Sequence, residues 1–69
     1  MAISGFFFPQ VGDDVKHRGK IIQIDNGFNC EYVWFEKNSN FEYDHMPTGE
    51  FLLRYVYVAG MWMMKGFDI

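Results

Sequence analysis

Few residues in this chain could do covalent or metal chemistry, and their spacing argues against most of it. Cys30 is the single cysteine, and His17 and His45 are the only two histidines. With Asp14 and Asp44 they make a conceivable metal set. No two of them stand at the short spacing of a structural zinc site, however. A thiol–imidazole dyad would need Cys30 reachable as a thiolate. Cys30 instead alternates with Phe28, Tyr32 and Trp34, which predicts that it faces an apolar layer. Ser4 and Ser39 lie in weakly structured contexts. Paired carboxylates stand at Asp13-Asp14 and at Glu42 with Asp44, and the latter two would point the same way from a strand, as acid–base work could use, but solvated turn acids are the simpler explanation. A chain of 69 residues also rarely encloses a substrate pocket of several hundred Å³. No catalytic residue, metal or cofactor is expected, so the function to look for is binding.

Three clusters could carry it. The segment Lys16-His17-Arg18, followed by Lys20, could contact phosphates through Lys16, Arg18 and Lys20, although Asp13 and Asp14 weaken its field. The acids Glu31, Glu36, Glu42, Asp44 and Glu50 fall in the middle and later part of the chain. If Glu31, Glu42 and Asp44 share a sheet face with Tyr43, Tyr55 and Tyr57, they make an acidic, aromatic surface suited to a basic protein partner. Ordinary solubility charge is the plain alternative for those acids. The third cluster is Met61, Trp62, Met63 and Met64 with Phe67, an adaptable apolar segment. It is either a closing core strand or a self-association surface, in which case a homodimer would cover it.

These residues must be positioned by short elements. Glycines at 12, 19, 27, 49, 60 and 66, with Pro9 and Pro47, cut the chain into pieces too short for a long amphipathic helix. The pattern predicts strands at 14–17, 20–24, 28–36, 41–46, 51–59 and 61–64. Phe6-Phe7-Phe8 forms an apolar opening, and 37–40 and 47–49 form turns. Asn26-Gly27 between apolar runs predicts a tight hairpin, since both residues tolerate positive φ. Segments 28–36 and 51–59 are apolar on both faces. That predicts either a sheet closed on itself or one covered by a partner.

Val11-Gly12-Asp13-Asp14-Val15, a polar loop ending at Gly19, and Lys20-Ile21-Ile22-Gln23-Ile24 resemble the opening of SH3-like small barrels. Tyr32-Val33-Trp34-Phe35 is placed like the next strand of such a barrel. The resemblance covers about the first half of the chain and implies a binding module without naming a ligand. The expected fold is therefore all-β: one domain over 1–69, with about five short antiparallel strands in a small SH3-like barrel or strongly curled sheet.

Composition agrees with a folded binding domain. Aromatic residues make up 20% of the chain and hydrophobic residues 49%, with a net charge of −3. Disordered chains show the opposite balance, and general nucleic-acid coats are basic. The lone cysteine rules out an internal disulfide. No signal peptide or membrane span is read, so a cytoplasmic location is the expectation. In size and composition the chain resembles small phage-encoded inhibitors, anti-CRISPR proteins among them. That likeness implies an inhibitor or adaptor that blocks a larger host protein or nucleoprotein complex. A nucleic-acid-binding barrel using the loop at 16–20 ranks second, and a virion structural or assembly protein third.

Overall fold

The computed structural model describes residues 7–37 and 44–69. Its elements are β1 Asp14–Val15, β2 Gly19–Asn26, β3 Glu31–Phe35, β4 His45–Pro47, α1 Thr48–Arg54, β5 Tyr55–Val58 and β6 Met61–Met64. The strands form one six-stranded sheet ordered β4-β3-β2-β1-β6-β5. β1 and β6 run parallel, pairing Val15 with Trp62, and the other ladders are antiparallel. The fold is thus β-rich, as expected, with three differences: a sixth strand, one parallel pair and a helix. No helix among the described residues is long and apolar enough to cross a membrane.

The helix replaces the first half of the strand expected over 51–59. Pro47 sits at its N-cap with φ −57°, a geometry the proline ring sets in advance. Glu50 lies in the first turn, Arg54 in the last, and the two side chains pair across one turn at 3.0 Å. Such a pair stabilises an exposed helix by about 0.3–0.5 kcal/mol. Thr48, Phe51 and Tyr55 recur at helical spacing, and all three are buried. The pull of that buried stripe, more than the local β preference of Phe51 and Leu52, decides the outcome.

α1 also shapes the sheet. It joins β4 to β5, which are the two outer strands of the ladder. A seven-residue helix spans only about 10 Å at 1.5 Å per residue. The sheet is therefore rolled until its edges approach, with the helix across the gap and no ladder between β4 and β5. Inside the roll sit Val15, Ile21, Val33, Phe35, Met46, Phe51, Tyr55 and Trp62. Phe51, fully enclosed, stacks on Tyr55 at 4.7 Å and meets Phe35 at 5.7 Å and the edge of Trp62 at 4.9 Å. Ring pairs of this kind add about 0.5–1.5 kcal/mol each beyond the area they bury.

Two turns invert the sequence expectation. The tight two-residue hairpin lies at Ala59-Gly60, where φ is +54° and +84°. Positive φ at both positions gives the twist that paired strands need. Asn26-Gly27 instead opens a wider loop: Asn26 still pairs with Glu31, and the Gly27 N–H donates to the Cys30 carbonyl at 2.6 Å. Cys30 consequently lies in that loop, exposed, and not in an apolar layer.

Candidate functional site

The alternation of β3 decides which side chains leave the core. Val33 and Phe35 are buried, while Tyr32 and Trp34 point to the other face and are half-buried. In β4, Met46 enters the core, and His45 and Pro47 take the outer side. β2 needs one adjustment to follow this phase. Its register shifts between Ile21 and Gln23, so Ile21 and Ile24 both reach the inner side and Ile22 is left exposed. A bulge does this by inserting one residue against the partner strand.

The outcome is a grid on the outer face. Trp34 lies between Gln23 and His45 across the strands, and Tyr32 lies between Asp25 and Pro47. The Trp34 and His45 rings stack at 4.4 Å with 21° between planes, and Tyr32 meets the edge of His45 at 5.8 Å. The Trp34 indole N–H donates to Asp25 Oδ1 at 3.1 Å, and the Gln23 amide donates to Asp25 Oδ2 at 2.6 Å. Asp44 Oδ1 lies 3.2 Å from His45 Nδ1. The rings are thus locked by one another and by carboxylates before any ligand arrives, which lowers the ordering cost of binding. Glu31, exposed, alternates with Val33 and Phe35 and so leaves β3 on the other side at the hairpin end. Beyond it, Phe28 projects from the loop with 96% of its surface exposed.

Gly27 is part of this construction. A β-carbon there would collide with the Tyr32 ring. Gly27→Ala should displace Tyr32 from His45 and cost about 1 kcal/mol in overpacking. The check is a urea melt together with loss of the Tyr32–His45 ring proximity by NMR. The Cys30 side chain also reaches Tyr32 and holds its phenol above the ordinary value, through charge first and hydrogen bonding second.

The residues expected to form one acidic, aromatic face are only partly brought together. Asp44 borders the grid beside His45, whereas Glu31 leaves β3 on the opposite side. Glu42 and Tyr43 lie outside the described residues. Tyr55 is in the core. Tyr57 is half-buried at the far end of the sheet, between Phe7 at 4.9 Å and Trp62 at 5.2 Å. The physical reason is α1: it resets the phase of the chain before β5 and carries β5 to the opposite edge. Asp25, Tyr32, Trp34 and His45, which complete the face, are not part of the acidic, aromatic set that the sequence suggests. The alternation of Tyr32 and Trp34 with Val33 and Phe35 was legible, but Asp25 and His45 become neighbours only through the strand register.

The C-terminal cluster divides as well. Trp62 is buried, Met61, Met63 and Met64 are half-buried, and Phe67 is exposed. Trp62 therefore closes the core and does not present itself to a second copy. Asp68 accepts the Met64 N–H at 2.8 Å and lies 3.3 Å from His17, while Phe67 meets the His17 ring edge at 6.2 Å. Between β5, β6 and α1 lies a pocket of about 160 Å³ lined by Phe7, Leu52, Tyr55, Val56, Tyr57, Trp62 and Lys65. That is below the roughly 300–1,000 Å³ of most small-molecule sites.

The basic loop does not present the three cations expected of it. Arg18 is 1% exposed, its guanidinium 4.2 Å above the Phe35 ring and its Nε donating to the Lys37 carbonyl at 3.2 Å. Lys20 is paired with Asp14 at 2.8 Å, and that hydrogen bond and charge hold its ammonium above the ordinary value. Lys16 is half-buried beside them. Among the described residues no group of three His, Cys, Asp or Glu side chains converges to hold a metal ion. Compared with family models, curated proteins and solved structures, the chain matches none of them.

Proposed function

We propose that the chain is a protein-binding module, a small inhibitor or adaptor of a larger protein or nucleoprotein complex, and that its contact surface is the outer face of β2, β3 and β4. One observation carries this reading. A stacked Trp34–His45 pair with Tyr32 at its edge occupies the side of the sheet away from the core, bordered by Asp25 and Asp44. Such a cluster contributes little to burying the interior, because Val33, Phe35 and Met46 already do that from the other face. Pre-locked aromatic anchors within a charged rim are the arrangement in which a few residues dominate binding energy. Phe28 at the hairpin tip extends the surface. We read the scaffold as an SH3-like module, supported by the Gly12–Asp13 turn leading through β1 into the Ile-rich β2.

The test is a comparison of the native chain with the double variant Trp34→Thr and His45→Thr, which keeps strand-forming residues on both strands. The partner held by the native chain should bind the variant at least tenfold more weakly, since anchor truncations cost more than about 1 kcal/mol. Thermal melts should show both proteins folded. If the partner binds the variant equally well, while a Phe7→Ser and Tyr57→Ser variant releases it, the contact surface is the other end of the sheet and the assignment fails.

A further inference from the structure

We infer that the partner seats an arginine side chain on the outer face, over the aromatic run and against its carboxylates. This rests on that face being the contact surface. The charge there is one-sided. Neither β3 nor β4 contains a lysine or arginine, and Lys20, the single cation of β2, is already paired with Asp14. Asp25 therefore meets no lysine or arginine of these three strands, and Asp44 faces only the His45 imidazole, at 3.2 Å. Each Asp25 oxygen accepts one N–H, and a carboxylate oxygen has capacity for a second. The Asp44 side chain is 49% exposed.

The rings narrow the choice among cations. Aromatic faces attract positive charge, Trp most of all. A guanidinium is planar and weakly hydrated. It can lie along a stacked ring pair while its donor fork reaches a carboxylate beside it. An ammonium is compact and strongly hydrated, and gives up more solvation for a single contact. A metal ion needs converging ligands, and the described residues place no three such groups together. The stacked rings and the carboxylates beside them together therefore select arginine above lysine.

The test uses the two indole N–H groups as internal reporters, since Trp34 donates to Asp25 on the face and Trp62 donates to Asp13 at the core. The native chain is titrated with the capped peptide acetyl-Gly-Arg-Gly-amide and, separately, with its lysine counterpart, and followed by ¹⁵N NMR. The arginine peptide should move the Trp34 indole signal in a saturable way and leave the Trp62 signal in place. The lysine peptide should bind at least fivefold more weakly. The double variant Asp25→Asn, Asp44→Asn keeps the rings and should lower arginine affinity at least fivefold. Equal binding of the two peptides, an unmoved Trp34 signal at millimolar peptide, or full affinity in the double variant would overturn the inference. If the arginine peptide fails while the partner still distinguishes the native chain from the Trp34→Thr and His45→Thr variant, only the arginine assignment falls. If the partner makes no such distinction, the face itself is wrongly assigned.

Discussion

Trp62→Ala should unfold the domain. The indole is 2% exposed and packs edge-on against Phe51 at 4.9 Å and Tyr57 at 5.2 Å. Its N–H donates to Asp13 Oδ2 at 3.0 Å, an oxygen that also accepts the Gln10 N–H at 2.9 Å. Its carbonyl accepts the Lys16 N–H at 2.9 Å, within the parallel pairing of β1 and β6. Truncating a buried Trp costs about 3–5 kcal/mol. A chain of 69 residues has in total roughly 3–10 kcal/mol. The expected circular dichroism melt of Trp62→Ala is therefore broad or absent at 25 °C. Trp62→Phe keeps the ring contacts but leaves the Asp13 carboxylate short of one donor, so it should fold with a loss of about 1–3 kcal/mol. A cooperative Trp62→Ala melt within a few degrees of the native one would mean that the core is not organised around β6.

Arg18→Ala carries the second large effect and bears on function as well as stability. Several interactions act on this residue at once, among them the guanidinium over Phe35, the Nε donor to the Lys37 carbonyl, and backbone bonds from Arg18 N to Val15 O at 3.0 Å and from Lys37 N to Arg18 O at 2.9 Å. The backbone bonds survive substitution. The cation–π contact, the packing of the aliphatic stem and the side-chain donor do not. Their loss should destabilise the fold by about 2–3 kcal/mol, against about 0.5 kcal/mol or less for Lys16→Ala. Arg18→Lys should restore only a minor part, because an ammonium cannot lie flat on the Phe35 ring and reach the same carbonyl. Urea denaturation of the three variants gives the ranking. An Arg18→Ala variant as stable as the native chain, but with lost affinity for single- or double-stranded nucleic acid at low salt, would return the loop at 16–20 to a phosphate-binding role.

The parts of the fold that were legible in the sequence are those decided locally. The strand at 20–24, the following strand through Glu36 and the last strand at Met61–Met64 all follow from β-branched and aromatic density between turn residues. Two features were hidden. α1 is short and contains Gly49, Phe51 and Leu52, so strand propensity masks it. Its signals were the Pro47-Thr48 start, the Glu50 and Arg54 pair four residues apart, and the spacing of Thr48, Phe51 and Tyr55. The second is the bulge at Ile22, which no composition rule marks and which sets whether Gln23 and Asp25 share a side with Trp34. Arg18 illustrates the same limit. Its charge reads as surface until the ring of Phe35, a strand away, is known to lie beneath it.

The parallel pairing of Val15 with Trp62 has a consequence for the order in which the chain folds. The β2–β3 hairpin and the β5–β6 hairpin close short loops, events of about 1–10 μs. β1, only two residues long, gains its second neighbour when a strand from the far end of the chain arrives. Non-local, parallel contacts of this kind form late and slow the whole process. During vectorial synthesis the meander β2–β3–β4 therefore emerges with the inner faces of Ile21, Val33, Phe35 and Met46 uncovered; α1 brings Phe51 against Phe35, and Trp62 closes the core only once β6 has been made. Native-like protection from hydrogen exchange should then appear in one step across both halves, set by the rate at which β6 docks and not by the hairpins on either side of it.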